Sequence, residues 1–282
     1  MSRTKLALII VVALITYFFV IGLFLNLLKN FRTPTDGAIA IIEVEGVLTD
    51  ARSVVRQLKK YARVPDIKGI VLRIESPGGG VVAAQEIYNE LKRTKERGKK
   101  IVVSMGSVAA SGGYYIATPA DLIIANPGTI TGSIGVIMNF PIVEELLKKI
   151  GIKFETIKSD KYKDIGSPFR PLTEKERALL YGVTQNIYEQ FLNAIIENRK
   201  IPYDSLIKIA DGRILSGAQA KQYGLVDSLG SYEDAIKITA NLCGIKKEPK
   251  IIKEPKRFSI LNKFGLSLLN LLVPKPLYLL QN

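Results

Sequence analysis

The chain has no histidine and a single cysteine, Cys243, among its 282 residues. Without histidine a Ser-His-Asp triad cannot be assembled, and a conventional zinc site loses its commonest ligand. No metal and no cofactor is expected. One cysteine rules out an intramolecular disulfide, and Cys243 is read as a structural thiol. The sequence also lacks the GxxxxGK[ST] spacing of a P-loop and the GxGxxG spacing of a dinucleotide site. No internal repeat is visible. The net charge of +14 raises the question of nucleic acid. However, the basic residues are interleaved with acids, as in KKYARVPDIKG and RTKERGKK, and are not clustered with aromatics. No nucleic-acid partner is expected; an anionic membrane surface suits the charge better.

Charge is missing altogether from Leu6–Leu28, LALIIVVALITYFFVIGLFLNLL, a run of 23 residues. At about 1.5 Å per residue a helix of that length crosses a hydrocarbon core of about 30 Å. A cleaved signal peptide would carry a shorter apolar region and small residues at a cleavage site, whereas bulky FLNLLKNF follows here. The run is read as an uncleaved single-pass anchor over 6–28, after a flank of 1–5 and before a linker of 29–36. Arg3 and Lys5 on one side balance Lys29 and Arg32 on the other, so charge does not set its sidedness.

Beyond the linker, strand and helix patterns alternate, which predicts an α/β domain over 37–254 with a largely parallel sheet. Ala38–Val44 and the near-continuous apolar Gly69–Glu75 read as buried strands. Lys100–Ser104, Asp121–Ala125, Ser133–Met138 and Lys153–Lys158 are further strands, with Arg213–Leu215 and Leu225–Asp227 strand-like. Ser53–Ala62, Val81–Arg97, Pro141–Ile150 and Glu174–Arg199 have helical spacing. The last of these opens on Thr173, with Glu176 three residues on, a capping-box pattern. A tail of 255–282 follows. Its Phe258–Leu280 stretch is leucine-rich but broken by Lys263 and by Pro274 and Pro276, so it reads as an amphipathic segment that meets the membrane or a neighbouring subunit.

Two strand-to-helix junctions carry the chemistry. The first, SPGGG, lets backbone amides approach a ligand without side-chain obstruction; it suits an oxyanion hole, a phosphate cradle or a plain tight turn. The second, AASGGYYIA, places Ser111 at a helix N-terminus, where the dipole and the next amide stabilise an oxyanion. A simple helix cap is the rival reading of Ser111. With histidine absent, the group left to activate a serine is a lysine amine kept neutral by desolvation, with a pKa near about 7–8. Lys158, Lys161 and Lys163 in IKSDKYKDIGSP are the candidates, and spacing does not choose between them.

MGSVAASGGYYIATPADLIIANPGTITGSIGVI, together with SPGGG and KYKDIGSPFRPLTEKER, resembles the signal peptide peptidase A family in its short, single-domain form. The resemblance runs over roughly Ile39–Ile238. These are membrane-anchored serine proteases with the Clp protease/crotonase fold, built of repeated β-β-α units. The resemblance implies Ser111 as nucleophile and Lys163, 52 residues downstream, as general base, with Lys161 in reserve. It implies Ser133 of TGSIG as the group that orients the lysine. For the oxyanion hole it implies the amides of Gly78 and Gly112, with Gly79 an alternative. It further implies a homo-oligomeric ring in which neighbouring subunits share each site, extended apolar peptides such as remnant signal peptides as substrates, and an extracytoplasmic catalytic domain at the cell membrane. Three other classes compete: a related protease cutting a membrane-protein partner, an acyl-CoA enzyme of the crotonase type, and an inactive ring scaffold.

Overall fold

The computed structural model describes residues 12–23 and 36–255, and the backbone of 277–279. Residues 12–23 form a helix, α1, with exposed apolar side chains. The remainder of the anchor expected over Leu6–Leu28 lies outside the described residues. Among those described, no helix is long and apolar enough to cross a membrane.

The domain is a mixed α/β unit around an eight-stranded sheet. At its centre lie β1 (Ala38–Glu45), β2 (Ile67–Ser76) and β4 (Lys100–Ala109), all parallel, and the spatial order is β7-β6-β4-β2-β1-β9. The outer strands are β6 (Ile130–Gly132), β7 (Ile214–Ser216) and β9 (Lys250–Lys253), while β5 (Leu122–Ala125) and β8 (Ser228–Leu229) branch from β4. Strand side chains alternate between the two faces of a sheet, and β1 buries both. Ala38, Ala40, Ile42 and Val44 enter the main core with residues of α2 (Arg52–Ala62) and α3 (Val81–Glu96). Ile39 and Ile41 face a second cluster with Val71, Val102 and Ile124 under α9 (Tyr232–Leu242). Burial on both faces is why these strands read as apolar runs. Each buried isoleucine contributes about 1.5–3 kcal/mol.

At Gly69 a Cβ would meet the Thr239 Cγ2 at 2.6 Å and the Cys243 Sγ at 2.7 Å. That notch seats α9 against the sheet and fixes Cys243 as packing, and burial pushes its thiol pKa up. The long α6 (Glu174–Arg199) begins as its sequence predicts: the Thr173 hydroxyl accepts from the Glu176 amide, and the Glu176 carboxylate accepts from the Thr173 amide.

Four expectations are corrected. Ser133–Met138 is not a strand but holds a single bridge residue, Ile137, because regular pairing ends where φ turns positive at Gly132 (76°) and Ser133 (49°). Lys153–Lys158 has the alternation of a strand but no strand to pair with among the described residues, and stays irregular and exposed. Leu225–Asp227 precedes the strand it was expected to form, which is Ser228–Leu229. The helix expected over Pro141–Ile150 is the shorter α5 (Glu144–Lys149).

Candidate active site

The nucleophile candidate is placed by an irregularity between β2 and β4. The two strands pair in step from Gly69↔Lys100 to Ile74↔Met105, and the next pair is Ser76↔Ala109. Strand β4 therefore carries two extra residues, a bulge that re-aims the chain. Glu75 fills it: its carboxylate accepts from the Ser107 amide at 2.8 Å and the Val108 amide at 3.0 Å. Gly106 leaves the necessary room, since a Cβ there would lie 1.9 Å from Glu75 Oε2. The strand then docks by Ala110 N–H donating to Ser76 O at 3.1 Å.

Ser111 follows at the N-terminus of α4 (Gly112–Ala117), with φ 52° and ψ −117°. A β-substituted residue adopts that conformation only at a cost. The turn is held by Ser111 N–H donating to Gly132 O (2.8 Å), Gly113 N–H to Ala110 O (2.8 Å) and Tyr115 N–H to Ser111 O (2.8 Å). A Cβ at Gly113 would come within 2.8 Å of Ser76 O, so the glycine is needed for close approach. Tyr114 anchors the helix beneath, its buried hydroxyl donating to Leu225 O at 2.9 Å.

The Ser111 side chain makes no capping hydrogen bond. Its Oγ is buried and without a hydrogen-bond partner among the described residues. This overturns the helix-cap reading. A strained backbone and an unpaired buried hydroxyl both cost stability, and such costs concentrate at functional sites. The Gly112 amide, first in α4, has no intrahelical acceptor.

SPGGG runs alongside as β3 (Gly78–Gly80), in contact with α4. Ser76 Oγ donates to Gly46 O at 2.6 Å and accepts from the Gly78 amide at 3.1 Å. One edge of β3 is taken by Leu48, whose N–H donates to Gly78 O (2.8 Å) and whose carbonyl accepts from the Gly80 amide (2.7 Å). The N–H and C=O of Gly79 consequently face the other edge. The expected amide of Gly78 is thus held by a long bond to a hydroxyl, while Gly79 points its peptide outward.

Ser133 joins this group through its neighbour, since Gly132 O accepts from Ser111 N–H; Ser133 itself is buried and donates its amide to Arg213 O at 2.8 Å. Ser111, Gly112, Gly78, Gly79 and Ser133 therefore come together within one chain. Lys163 does not join them. It sits exposed in a tight turn, its amide donating to Asp160 O at 3.1 Å, and its amine has no ion pair or hydrogen bond among the described residues. The other two lysines are engaged: Lys158 pairs with Asp164 at 2.6 Å, and Lys161 lies 4.8 Å above the Tyr162 ring.

Sequence patterns gave no sign of the scaffold that holds this turn. Arg170 forks between Asp164, with two bonds of 2.8 Å, and Glu176 at the start of α6. The Arg170 hydrogen bonds, with Lys158 on Asp164 and the Thr173 amide on Glu176, hold both carboxyls well below the usual range, Glu176 at about 2. A carboxyl with a depressed native pKa adds stability above its unfolded pKa, about 4.3, and loses it as pH falls through the native value. Arg170→Ala should therefore lower the melting temperature at neutral pH, and the gap to the parent should close as the pH is taken from about 4 towards about 2. Melting curves across that range check this; a gap that stays constant counts against it. Thr131, which donates to Ala109 O at 2.7 Å just before the nucleophile turn, was also invisible in the sequence.

A buried, strained serine on a strand-to-helix turn, beside a glycine strand whose Gly79 peptide faces away from Leu48, has the arrangement of an acyl-transfer hydrolase working through serine. Comparison with known proteins agrees. The profile of Peptidase family S49 matches residues 93–246, and that of Clp protease matches residues 38–128. A Synechocystis protein assigned as a protease is 43% identical over 230 residues, 80% of this chain and 83% of its own length. Protease 4 of Salmonella typhi is 36% identical over 229 residues, 77% of this chain and 37% of its own. The chloroplastic serine protease SPPA of Arabidopsis thaliana is 36% identical over 225 residues, 79% of this chain and 32% of its own. The chain belongs to peptidase family S49, and it is a serine peptidase of the signal peptide peptidase A type with a Clp protease-like domain.

Proposed function

We propose that the chain is a membrane-anchored endopeptidase in which Ser111 attacks the peptide carbonyl and Lys163 of an adjoining copy is the general base. The single observation that carries this reading is the buried Ser111 Oγ without a hydrogen-bond partner, next to the amide of Gly112. Neutral Lys163 takes the Ser111 proton as the C–O bond forms. The amide of Gly112, with that of Gly78 or Gly79, stabilises the oxyanion. The lysine ammonium then protonates the departing amine as the C–N bond breaks. Water, deprotonated by the same amine, cleaves the ester. Ser133, buried beside Ser111, orients the amine.

Sharing between subunits is supported by the surface around Lys163. Ile142, Leu146, Ile150, Phe154 and Ile157 are all exposed there, Ile157 at 95%, and Leu179, Tyr181 and Val183 of α6 continue the apolar exposure. A second copy of the chain covering this arm hides the apolar surface and carries Lys163 into a site that already lacks only its base. Remnant signal peptides fit as substrates: extended, apolar and resident at the membrane to which residues 6–28 anchor the domain. Their orientation relative to the bilayer, with the domain outside the cytoplasm, rests on resemblance to the family alone.

A serine-directed fluorophosphonate tests the core of the reading. It should label Ser111 in the full-length chain in detergent, and label nothing in Ser111→Ala. Label at another residue, or none at all, overturns Ser111 as the nucleophile.

A further inference from the structure

The end of the sheet at which the chain enters the domain is basic. Ala38 opens β1 and is in register with Ile67 of β2 on one side and Lys250 of β9 on the other. Lys100 opens β4 opposite Gly69. Neighbouring strands lie about 4.8 Å apart, so Lys250, Lys68 and Lys100 form a row across the starting edge. Lys246 and Lys247 come just before β9, and Arg63 closes α2 just before β2. All six are exposed, and none is in an ion pair among the described residues. We infer that this edge is a docking surface for anionic lipid headgroups, with the starts of the strands turned towards the bilayer. The inference rests on the membrane anchor proposed above and adds to it a face of the domain and a lipid chemistry.

Packing at this edge holds like charges together. A Cβ at Gly37 would meet the Lys68 side chain at 2.7 Å, so the entering chain runs against that lysine. The charges of Lys100, Lys68 and Lys99 all reach the Cys243 thiol, which gathers the three beside the end of α9. Lys99 turns inward, its amine donating to Val64 O at 2.8 Å and Ile67 O at 2.6 Å. Burial, and then the Lys68 charge, push that amine's pKa down; an anion from outside relieves such repulsion. Helix dipoles favour cations at helix C-termini and account for Arg63 without a partner. They do not account for Lys68, Lys100 and Lys250, which stand at the starts of strands. The exposed acids here, Asp36, Asp66, Glu96 and Glu248, are outnumbered. Distance points to lipid as the source of the anion. Residues 29–36, even fully extended, reach at most about 29 Å, so this edge is the part of the domain that the anchor keeps nearest the headgroups. Each Lys or Arg held at an anionic leaflet adds about fivefold in partitioning, and salt screens the gain.

The test is acetylation of the full-length chain in vesicles by a membrane-impermeant reagent, read lysine by lysine in a mass spectrometer. In phosphatidylglycerol vesicles at about 0.15 M salt, Lys68, Lys100, Lys247 and Lys250 should react at least about fivefold more slowly than in phosphatidylcholine vesicles. At about 1 M salt, where the screening length falls to about 3 Å, the difference should vanish. Lys221, in the short helix packed against β7 on the opposite flank of the sheet, should react alike in both lipids. Lys68→Gln, Lys100→Gln, Lys247→Gln and Lys250→Gln combined should remove the lipid dependence at the remaining Lys246. The same variant should keep its peptide hydrolysis in detergent, because the nucleophile turn docks at Ser76, the other end of the ten-residue β2, about 30 Å along the strand. Equal labelling in the two lipids overturns the docking surface, as does equal protection by inorganic phosphate over phosphatidylcholine. Flotation on a density gradient tests the anchor separately. A chain that floats with neither vesicle overturns both readings, whereas one that floats only with phosphatidylglycerol and only at low salt overturns the anchor and supports the surface.

Discussion

Ser111→Ala and Lys163→Ala should each reduce peptide hydrolysis to background when assayed alone, and mixing the two should bring activity back. In the proposed dyad the two groups act as a unit, so either loss should match the loss of both. The recovery follows from where the parts sit. Ser111 is buried under α4 and β3, whereas Lys163 projects from an exposed turn with no partner among the described residues. In the proposed ring of heterologous contacts, a site is whole when a Lys163→Ala subunit supplies the serine and its neighbour, a Ser111→Ala subunit, supplies the lysine. Random assembly of equal amounts gives about a quarter of the sites this composition, and so about a quarter of wild-type activity. Co-purified mixed rings assayed on a fluorogenic peptide provide the measurement. No recovery in rings shown to contain both variants would place the dyad within one subunit. Lys161→Ala is the control, and should leave most of the activity in place.

The second large effect belongs to Gly79. Its φ is 153° and its neighbour Leu48 leaves no space for a methyl group, with backbone atoms at 2.5 Å. Gly79→Ala must part β3 from Leu48 or twist it, and either movement displaces the peptide groups that line the groove. Losing one oxyanion donor costs about 10²–10³ in rate, and a misplaced strand also loses its hold on the substrate, so kcat/KM should fall by at least about 10²-fold. The melting temperature should fall far less, because β3 lies outside the eight-stranded sheet that holds the core. Gly98→Ala makes the comparison fair. That glycine also has positive φ, 82°, but open space around it, so Gly98→Ala should cost about 1–2 kcal/mol of stability and no activity. Similar kinetics in the two variants would show that backbone strain, and not the Leu48 contact, governs the site.

Much of the fold was legible because its signals are local. Apolar runs marked β1 and β2, and Thr173 with Glu176 marked the start of α6. The serine and the glycines of the site were legible for a similar reason, being the residue types that a tight strand-to-helix turn requires. What failed was pairing. Lys153–Lys158 alternates like a strand, yet alternation describes a face and not a neighbour, and none is present for it within the described chain. Ser133–Met138 is apolar enough for a strand, but two consecutive positive φ values, at Gly132 and Ser133, stop it before it begins. Glu75, Thr131 and Arg170 went unseen because their partners are brought near only by the fold: Glu75 meets Ser107 and Val108 from the adjacent strand, and Arg170 reaches both Asp164 and Glu176. Spacing left three lysines open, and only the family resemblance pointed to Lys163; Lys158 is ion-paired and Lys161 lies over a ring, contacts that no sequence pattern displays.

The bulge of β4 has a bearing on which changes of chain length the protein can survive. Its two additional residues are an even number, so the alternation of faces along the strand is the same on leaving as on entering. Removing both would shorten the approach yet keep Ala109 facing the main core. Removing one would reverse the parity of everything up to Ser111 and turn the residues before it towards the wrong layer. Gene variants that gain or lose a single codon between Met105 and Ala109 should be lost from a functional library, whereas the same lesion in the exposed 150–157 stretch, which belongs to no strand among the described residues, should leave the domain folded.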